Sequence, residues 1–239
     1  SINAALWAKA NPILVDVDET LCLSLEKLKK IKNLDAVMFV PLNGRTGDGS
    51  EIAKWCKENK IVLIEDSAHS LTSSYNEQKC GSLGDISIIS FTPHKIITMG
   101  QGGMILTDNE AFYKKIIELK TFNRSKDKSD WHEGFGLNFK ITDLQASLGI
   151  SQFNKLEIFS KNKVSNHKIY MNKVSNKNVQ VLPFKDKEVP WFFDIKLKTI
   201  KYKNQLQQIL LEKGIETRNF YPALSKQKYL KKYSNENLE

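Results

Sequence analysis

Short apolar runs alternate with amphipathic stretches along most of this chain. A helix carrying Ala4, Ala5, Leu6 and Ala8 comes first, and Pro12-Ile-Leu-Val-Asp-Val17 then reads as a strand. Leu25–Ile31 has the spacing of a short amphipathic helix and Ala36–Val40 that of a buried strand. Ile52–Asn59 reads as a helix feeding a strand at 61–64. The β-branched run ending at Ser90 and the run Met104–Thr107 are two further strands, and a helix over Asn109–Leu119 follows. Strand and helix alternating at this interval predict an α/β unit with a mostly parallel sheet.

A longer helical stretch opens at Thr142, where Thr-Asp-Leu-Gln is a capping pattern. It runs through Leu148, Phe153, Leu156 and Phe159 towards Val174, with room for a break. From about residue 178 the pattern changes. Val179–Leu182 and Trp191–Leu197 alternate as half-buried strands, Tyr202–Lys213 is amphipathic, and Ile215–Phe220 reads as a last strand. The expected organisation is a large domain over 1–175 and part of a small α+β domain over 176–239.

Composition narrows the class. The chain has 239 residues, 41% hydrophobic and 26% charged, which is ample for a folded core. No apolar run is long enough to span a bilayer, and no signal peptide is visible. Cys22, Cys56 and Cys80 are widely spaced, so free thiols in a reducing cytoplasm are expected. The net charge of +9 admits nucleic acid, a membrane surface or an anionic nucleotide-sugar as a partner. The lysines are spread over helices such as 25–30, with no arginine-rich tract interleaved with aromatics. The expectation is therefore no nucleic acid and no membrane.

Candidate chemistry gathers in two segments. In Ser90-Phe-Thr-Pro-His-Lys95 a lysine stands among Pro93, His94, Ile96 and Ile97, just before the turn Gly100-Gln-Gly-Gly103. Partial desolvation lowers a lysine's pKa and makes its amine a better nucleophile, as a Schiff-base site requires. An ordinary loop lysine reaching out to solvent is the competing account. The strand at 61–64 ends in Glu65-Asp66-Ser-Ala-His69-Ser70, and open α/β sheets bind ligands at the carboxyl ends of their strands. Asp66 could pair with a cationic ring nitrogen, or it could cap the next helix.

In this order the segments resemble the DegT/DnrJ/EryC1/StrS group of pyridoxal-phosphate sugar aminotransferases. Glu65-Asp66-Ser-Ala-His69 matches that family's Glu-Asp-x-Ala-Gln/His, and Cys80-Gly81-Ser82-Leu83-Gly84-Asp85 matches its Gly-Ser-x-Gly-Asp. Ser90-Phe91-x-x-x-Lys95 matches the lysine motif. Gly136-Leu-Asn138-Phe-Lys140-Ile-Thr-Asp143-Leu-Gln145-Ala146 matches Gly-Tyr-Asn-Tyr-Arg-x-x-Asp-x-Gln-Ala. The resemblance runs from about residue 3 to about residue 222.

The resemblance implies the aspartate aminotransferase (type I) fold, with a mixed, mostly parallel sheet, helices on both faces and a small α+β C-terminal domain. It implies Lys95 as the catalytic Schiff-base lysine and proton carrier, Asp66 on the pyridine nitrogen, His69 near the ring, and Ser90 on the cofactor phosphate. Asn138 would reach the phosphate of the neighbouring subunit in a homodimer. Read without the family, Asn138 is a turn residue and Ser90 a strand-end hydroxyl bonding its own backbone. Arg218 is family-like and could contact substrate, although a surface strand arginine is the simpler account.

Gln101 stands where the family has Glu, and Lys140 where Arg is common. A dehydratase branch of the same family carries histidine at the lysine position. Here that residue is Lys95, and a histidine cannot form a Schiff base, so transamination is the better reading. Relative to the family, a first segment holding a phosphate cradle and a stacking aromatic is missing, and the carboxyl end stops early. An internal fragment is therefore expected, and an inactive or non-catalytic remnant is the rival from outside enzymology. The expected activity is transfer of an amino group, from glutamate as donor, to a nucleotide-linked keto-deoxysugar. Its product would serve polysaccharide or lipopolysaccharide biosynthesis.

Overall fold

The computed structural model describes residues 1–233. In chain order its elements are α1 (Ile2–Trp7), α2 (Leu25–Leu28), β1 (Ala36–Phe39), α3 (Gly49–Glu58) and β2 (Val62–Asp66). A small hairpin of β3 (Ser74–Tyr75) and β4 (Gln78–Lys79) follows, then β5 (Ile86–Ser90), β6 (Gly103–Leu106) and α4 (Glu110–Lys120). The remainder comprises α5 (Asp143–Phe153), α6 (Leu156–Lys173), β7 (Val179–Val181), β8 (Ile195–Leu197) and α7 (Ile200–Glu212).

The main sheet has the order β1-β2-β5-β6. β1, β2 and β5 run parallel and β6 returns antiparallel, pairing Ser90 with Gly103. The sheet is thus mixed and mostly parallel, as expected. Parallel pairing brings the carboxyl ends of three strands to one edge, so Phe39, Asp66 and Ser90 leave the sheet on the same side.

The core forms where the periodicities meet. On α3, Ile52 and Cys56 are one turn apart and both buried, packed with Val37, Phe39 and Leu63 of the strands. Full burial of a side chain such as Phe39 or Ile52 stabilises the fold by about 1.5–3 kcal/mol. A second cluster, Ile89, Phe91, Ile97 and Met99, packs against Leu156 and Phe159 of α6. It seats the loop that carries Lys95. The three cysteines are free and buried, and burial pushes the Cys22 and Cys56 thiols up to about 11 and Cys80 to about 12.

Helix boundaries follow local chemistry. Thr142 and Gln145 close a full capping box at α5. Asn109 caps α4 by accepting the backbone N–H groups of Ala111 and Phe112, and Thr199 caps α7. The helical stretch from 142 does break, between Phe153 and Leu156.

Three expected strands are corrected. Residues 12–16 join no ladder, and Val17 makes only an isolated bridge to Leu23. There the chain turns back on itself, with Asp18 Oδ1 accepting from Thr20 and Leu21 at positive φ. Of the run 191–197 only Ile195–Leu197 pairs, with β7. Residues 191–194 instead spend their polar groups on distant loops, Trp191 N–H on the Asn43 carbonyl and the Asp194 carboxylate on Arg45. Residues 215–220 form no strand: the chain turns at Gly214, which has positive φ, and these exposed residues join no ladder among the described residues. Positions 234–239, the end of the expected second domain, lie outside the described residues.

Candidate active site

Consecutive residues on a strand point to opposite faces, and β2 ends in two carboxylates that use this. Glu65 is completely buried and accepts five hydrogen bonds. Oε1 takes Ser67 Oγ (2.6 Å), Tyr75 Oη (3.0 Å) and the Gly81 N–H (2.7 Å), and Oε2 takes the Leu83 N–H (2.8 Å) and Ser87 Oγ (3.2 Å). The segment 80–85 is therefore stitched to β2 by Glu65, and by Asp85, which accepts the Leu63 N–H at 2.8 Å. Gly84 is needed in that seam, since a Cβ there would stand 2.8 Å from two carbonyl oxygens.

Asp66 emerges on the other side. Its Oδ1 accepts the Ala68 N–H (3.3 Å) and its Oδ2 the Ser1 hydroxyl (2.5 Å). It is a buried strand-end carboxylate with one oxygen on its own turn and the other taken by a donor from the start of the chain. The competing role as a helix cap is not taken, because no helix begins at 67–70.

Lys95 sits in the loop from β5 to β6. Phe91 closes that loop with both of its backbone groups, giving its N–H to Gly102 and accepting from Met99. Lys95 donates its own N–H to the Thr92 carbonyl at 3.0 Å. Its side chain is half-buried, and desolvation holds the amine below the usual lysine range against the opposing charge of Asp66.

His69, Ser90 and Lys95 line one pocket, together with Ala68, Thr72 and Trp191. Desolvation and the neighbouring Lys95 charge pull His69 down to about 4, so its imidazole is neutral near pH 7. Its Nδ1 is buried with no hydrogen-bond partner among the described residues. Ser90 Oγ has only long contacts to Thr92, at 3.4 and 3.5 Å, leaving it free for a better acceptor.

Asn138 is not in this group. It is exposed and lies in an isolated bridge to Thr121. Arg218 is also exposed, near the Phe192 and Tyr221 rings at 5.8 and 5.6 Å.

Sequence reasoning missed Trp191. Its ring lies 3.8 Å from the His69 ring, with Lys95 Nζ 4.3 Å from its centre. Inside the apolar run Val-Pro-Trp-Phe-Phe nothing marked it as more than a strand residue. Tyr221 was missed too; it donates to Asn43 Oδ1 at 3.2 Å and faces His69 at 6.4 Å.

Among the described residues no group of His, Cys, Asp and Glu could hold a metal ion, and no helix is long and apolar enough to cross a membrane.

A family model described as the DegT/DnrJ/EryC1/StrS aminotransferase family matches residues 1–239. A GDP-perosamine synthase of Escherichia coli O157:H7 is 33% identical over 98% of this chain and 65% of its own length. A UDP-4-amino-4,6-dideoxy-N-acetyl-beta-L-altrosamine transaminase of Campylobacter jejuni is 33% identical over 87% of this chain and 54% of its own. The fold matches Helicobacter pylori PseC, an aminotransferase of pseudoaminic acid biosynthesis, with a TM-score of 0.90 at 22% identity, over 96% of this chain and 64% of that one. The chain spans 50–65% of the length of the curated relatives it matches first.

Proposed function

The chain belongs to the DegT/DnrJ/EryC1/StrS aminotransferase family, and we propose that it supplies the reactive lysine and much of the active site of a pyridoxal-phosphate-dependent sugar aminotransferase. What carries this reading is the meeting of Lys95, His69 and Ser90 around one pocket with Asp66 beside it. The substrate would be a nucleotide-linked keto-deoxysugar and the amino donor glutamate, with the product entering surface polysaccharide synthesis in the cytoplasm. The chain would divide near residue 175 into a large cofactor-binding domain and part of a smaller one.

The residues present fit the cofactor. A buried carboxylate whose outer oxygen accepts a donor from another part of the chain could accept a ring N–H in that donor's place, and an unpartnered buried imidazole nitrogen suits a polar substituent of the ring. When bound, pyridoxal phosphate offers a carbonyl to an amine and a cationic ring that draws electrons from the carbon being deprotonated.

The chain's own residues would do the rest. Asp66 would keep the proton on the ring nitrogen. His69, being neutral, would add no competing charge. Ser90 would donate to the phosphate. Lys95, with its amine pulled below the usual lysine range, would bear a larger neutral fraction near pH 7. It could then act as a nucleophile and take and return a proton at the substrate carbon.

Asn138 would serve the partner subunit of a homodimer. In support, exposed apolar side chains, Phe135, Phe139, Leu144, Ile150 and Phe153, flank it in sequence, as expected of a surface that a second chain covers.

A sugar dehydratase is the second reading, since 3-dehydratases such as ColD share the fold at a TM-score of 0.84. Lys95 weighs against it, for the reason given by the resemblance.

The test is a cofactor trap. The purified chain is incubated with pyridoxal phosphate, reduced with borohydride and mapped by mass spectrometry. Selective labelling of Lys95 is expected. Label spread over many lysines, in a chain shown to be folded, would overturn the assignment of the site.

A further inference from the structure

We propose that Trp191 is a positioning residue for Lys95, holding both its ε-amine and the loop that carries it. This extends the reading of Lys95 as the reactive lysine and rests on it.

The geometry points this way from both ends of the indole. Its π face receives Lys95 Nζ at 4.3 Å from the ring centre, well within cation–π range. Its Nε1–H donates at 2.8 Å to the carbonyl of His94, the residue immediately before Lys95. One side chain therefore holds the amine and the adjoining peptide of the same loop.

The indole is itself fixed. Trp191 gives its backbone N–H to the Asn43 carbonyl at 3.0 Å and accepts from Lys163 Nζ at 3.0 Å. Its ring is flanked by His69 at 3.8 Å and Phe192 at 4.1 Å. A residue held at its backbone by α6 and by the loop after β1, with its ring against the turn after β2, can define where a flexible four-carbon side chain rests. Without such an anchor a lysine spreads over many rotamers.

The ring also acts on charge. Its face attracts the ammonium form and so opposes the desolvation that favours the neutral amine. The other charged or titratable groups around Lys95 are Asp66, His69, the adjacent His94, the Ser1 amino group 4.0 Å from Asp66, and Lys163 behind Trp191. Asp66 favours the ammonium form, the cations oppose it, and His69 is neutral. Taking away the indole face while keeping the site closed should therefore lower the pKa of Lys95.

The experiment compares the wild-type chain with Trp191→Phe and Trp191→Leu, each first shown to be folded by circular dichroism and melting. Trace acetylation with acetic anhydride across pH, read peptide by peptide, titrates Lys95 without any cofactor. Trp191→Leu is expected to move the Lys95 midpoint down by about half to one pH unit, with Trp191→Phe between it and wild type. Hydrogen exchange at the Lys95 amide should quicken about tenfold in both variants as the His94 contact is lost.

An unmoved midpoint would overturn the proposal. So would an upward shift, which would mean that the indole merely keeps water out. Unchanged exchange would overturn the hold on the loop. These readouts are independent of the cofactor trap: if that trap fails while these shifts appear, the aminotransferase reading falls and the positioning of Lys95 stands.

Discussion

Arg45 Nη1 and Asp194 Oδ2 stand 2.6 Å apart in an ion pair buried at both ends, joining positions separated by 149 residues. Asn43 Nδ2 donates to the same carboxylate at 3.1 and 3.3 Å, and Phe184 covers the guanidinium at 4.0 Å. The pair ties the loop after β1 to the segment that delivers Trp191. Asp194→Ala should cost about 3–5 kcal/mol, because it strands a buried cation, whereas an Arg45→Met/Asp194→Leu double variant should cost less. Urea unfolding checks this. A single variant no worse than the double would show that the pair is not the clasp it resembles.

Glu65 is the second stability prediction. Its carboxylate satisfies five donors in the sheet interior, and Glu65→Ala leaves them all unpaired. A loss of roughly 3 kcal/mol or more is expected, seen as a lower melting temperature. Release of residues 80–85 should show as faster hydrogen exchange at Gly81 and Leu83. Gly81 and Leu83 amides that stay protected would argue that the loop is held by other contacts.

His69 gives the chain a pH dependence of known sign. Its folded pKa, about 4, lies below its ordinary value, so between that value and about 4 the unfolded chain binds a proton that the folded chain refuses. The contribution of His69 to stability is therefore full above the unfolded pKa and falls as pH drops towards 4. The difference in urea midpoint between wild type and His69→Gln should change in that window and stay level above it. A constant difference from pH 7 to pH 4 would show that the ring protonates freely in the folded state.

Lys95 and Asn138 can be tested together. In an intact homologue, Lys95→Ala is expected to lower transamination by at least about 10²–10⁴-fold, and Asn138→Ala should weaken cofactor retention. At cofactor concentrations too low to fill the Asn138→Ala sites, mixing the two impaired chains should restore activity at about a quarter of the sites, because a mixed dimer pairs an intact lysine with its partner's intact asparagine. No recovery on mixing, with mixed dimers demonstrated, would remove Asn138 from the neighbour's site.

Much of the molecule was legible beforehand. The runs at 36–40, 61–64 and 86–90 became neighbouring strands because each is apolar, β-branched and bounded by turns. The helix starts at Asn109 and Thr142 were readable because capping is a contact between residues three apart. Lys95 and Asp66 could be picked out as candidates because they follow strand ends, whereas His69, Ser90 and Asn138 were named only through the family resemblance. The misread stretches share a different cause. Residues 12–16 and 215–220 have the composition of strands but join no ladder among the described residues, and a strand exists only through the ladder it joins. Asn138 likewise stands away from the pocket in a single chain.

What the sequence by itself determined, then, is everything that depends on nearest neighbours: periodicity, caps, turns, and the order of chemical groups along the strand ends. What only the tertiary structure decided is which distant groups meet. Trp191 and His94 are 97 positions apart and share a hydrogen bond, and Arg45 and Asp194 are 149 apart and share a buried charge. Such contacts stabilise the fold only after the chain between them has been ordered. Local spacing therefore holds no trace of them, and the meeting of Trp191 with Lys95 could be recognised only once the fold had brought the two together.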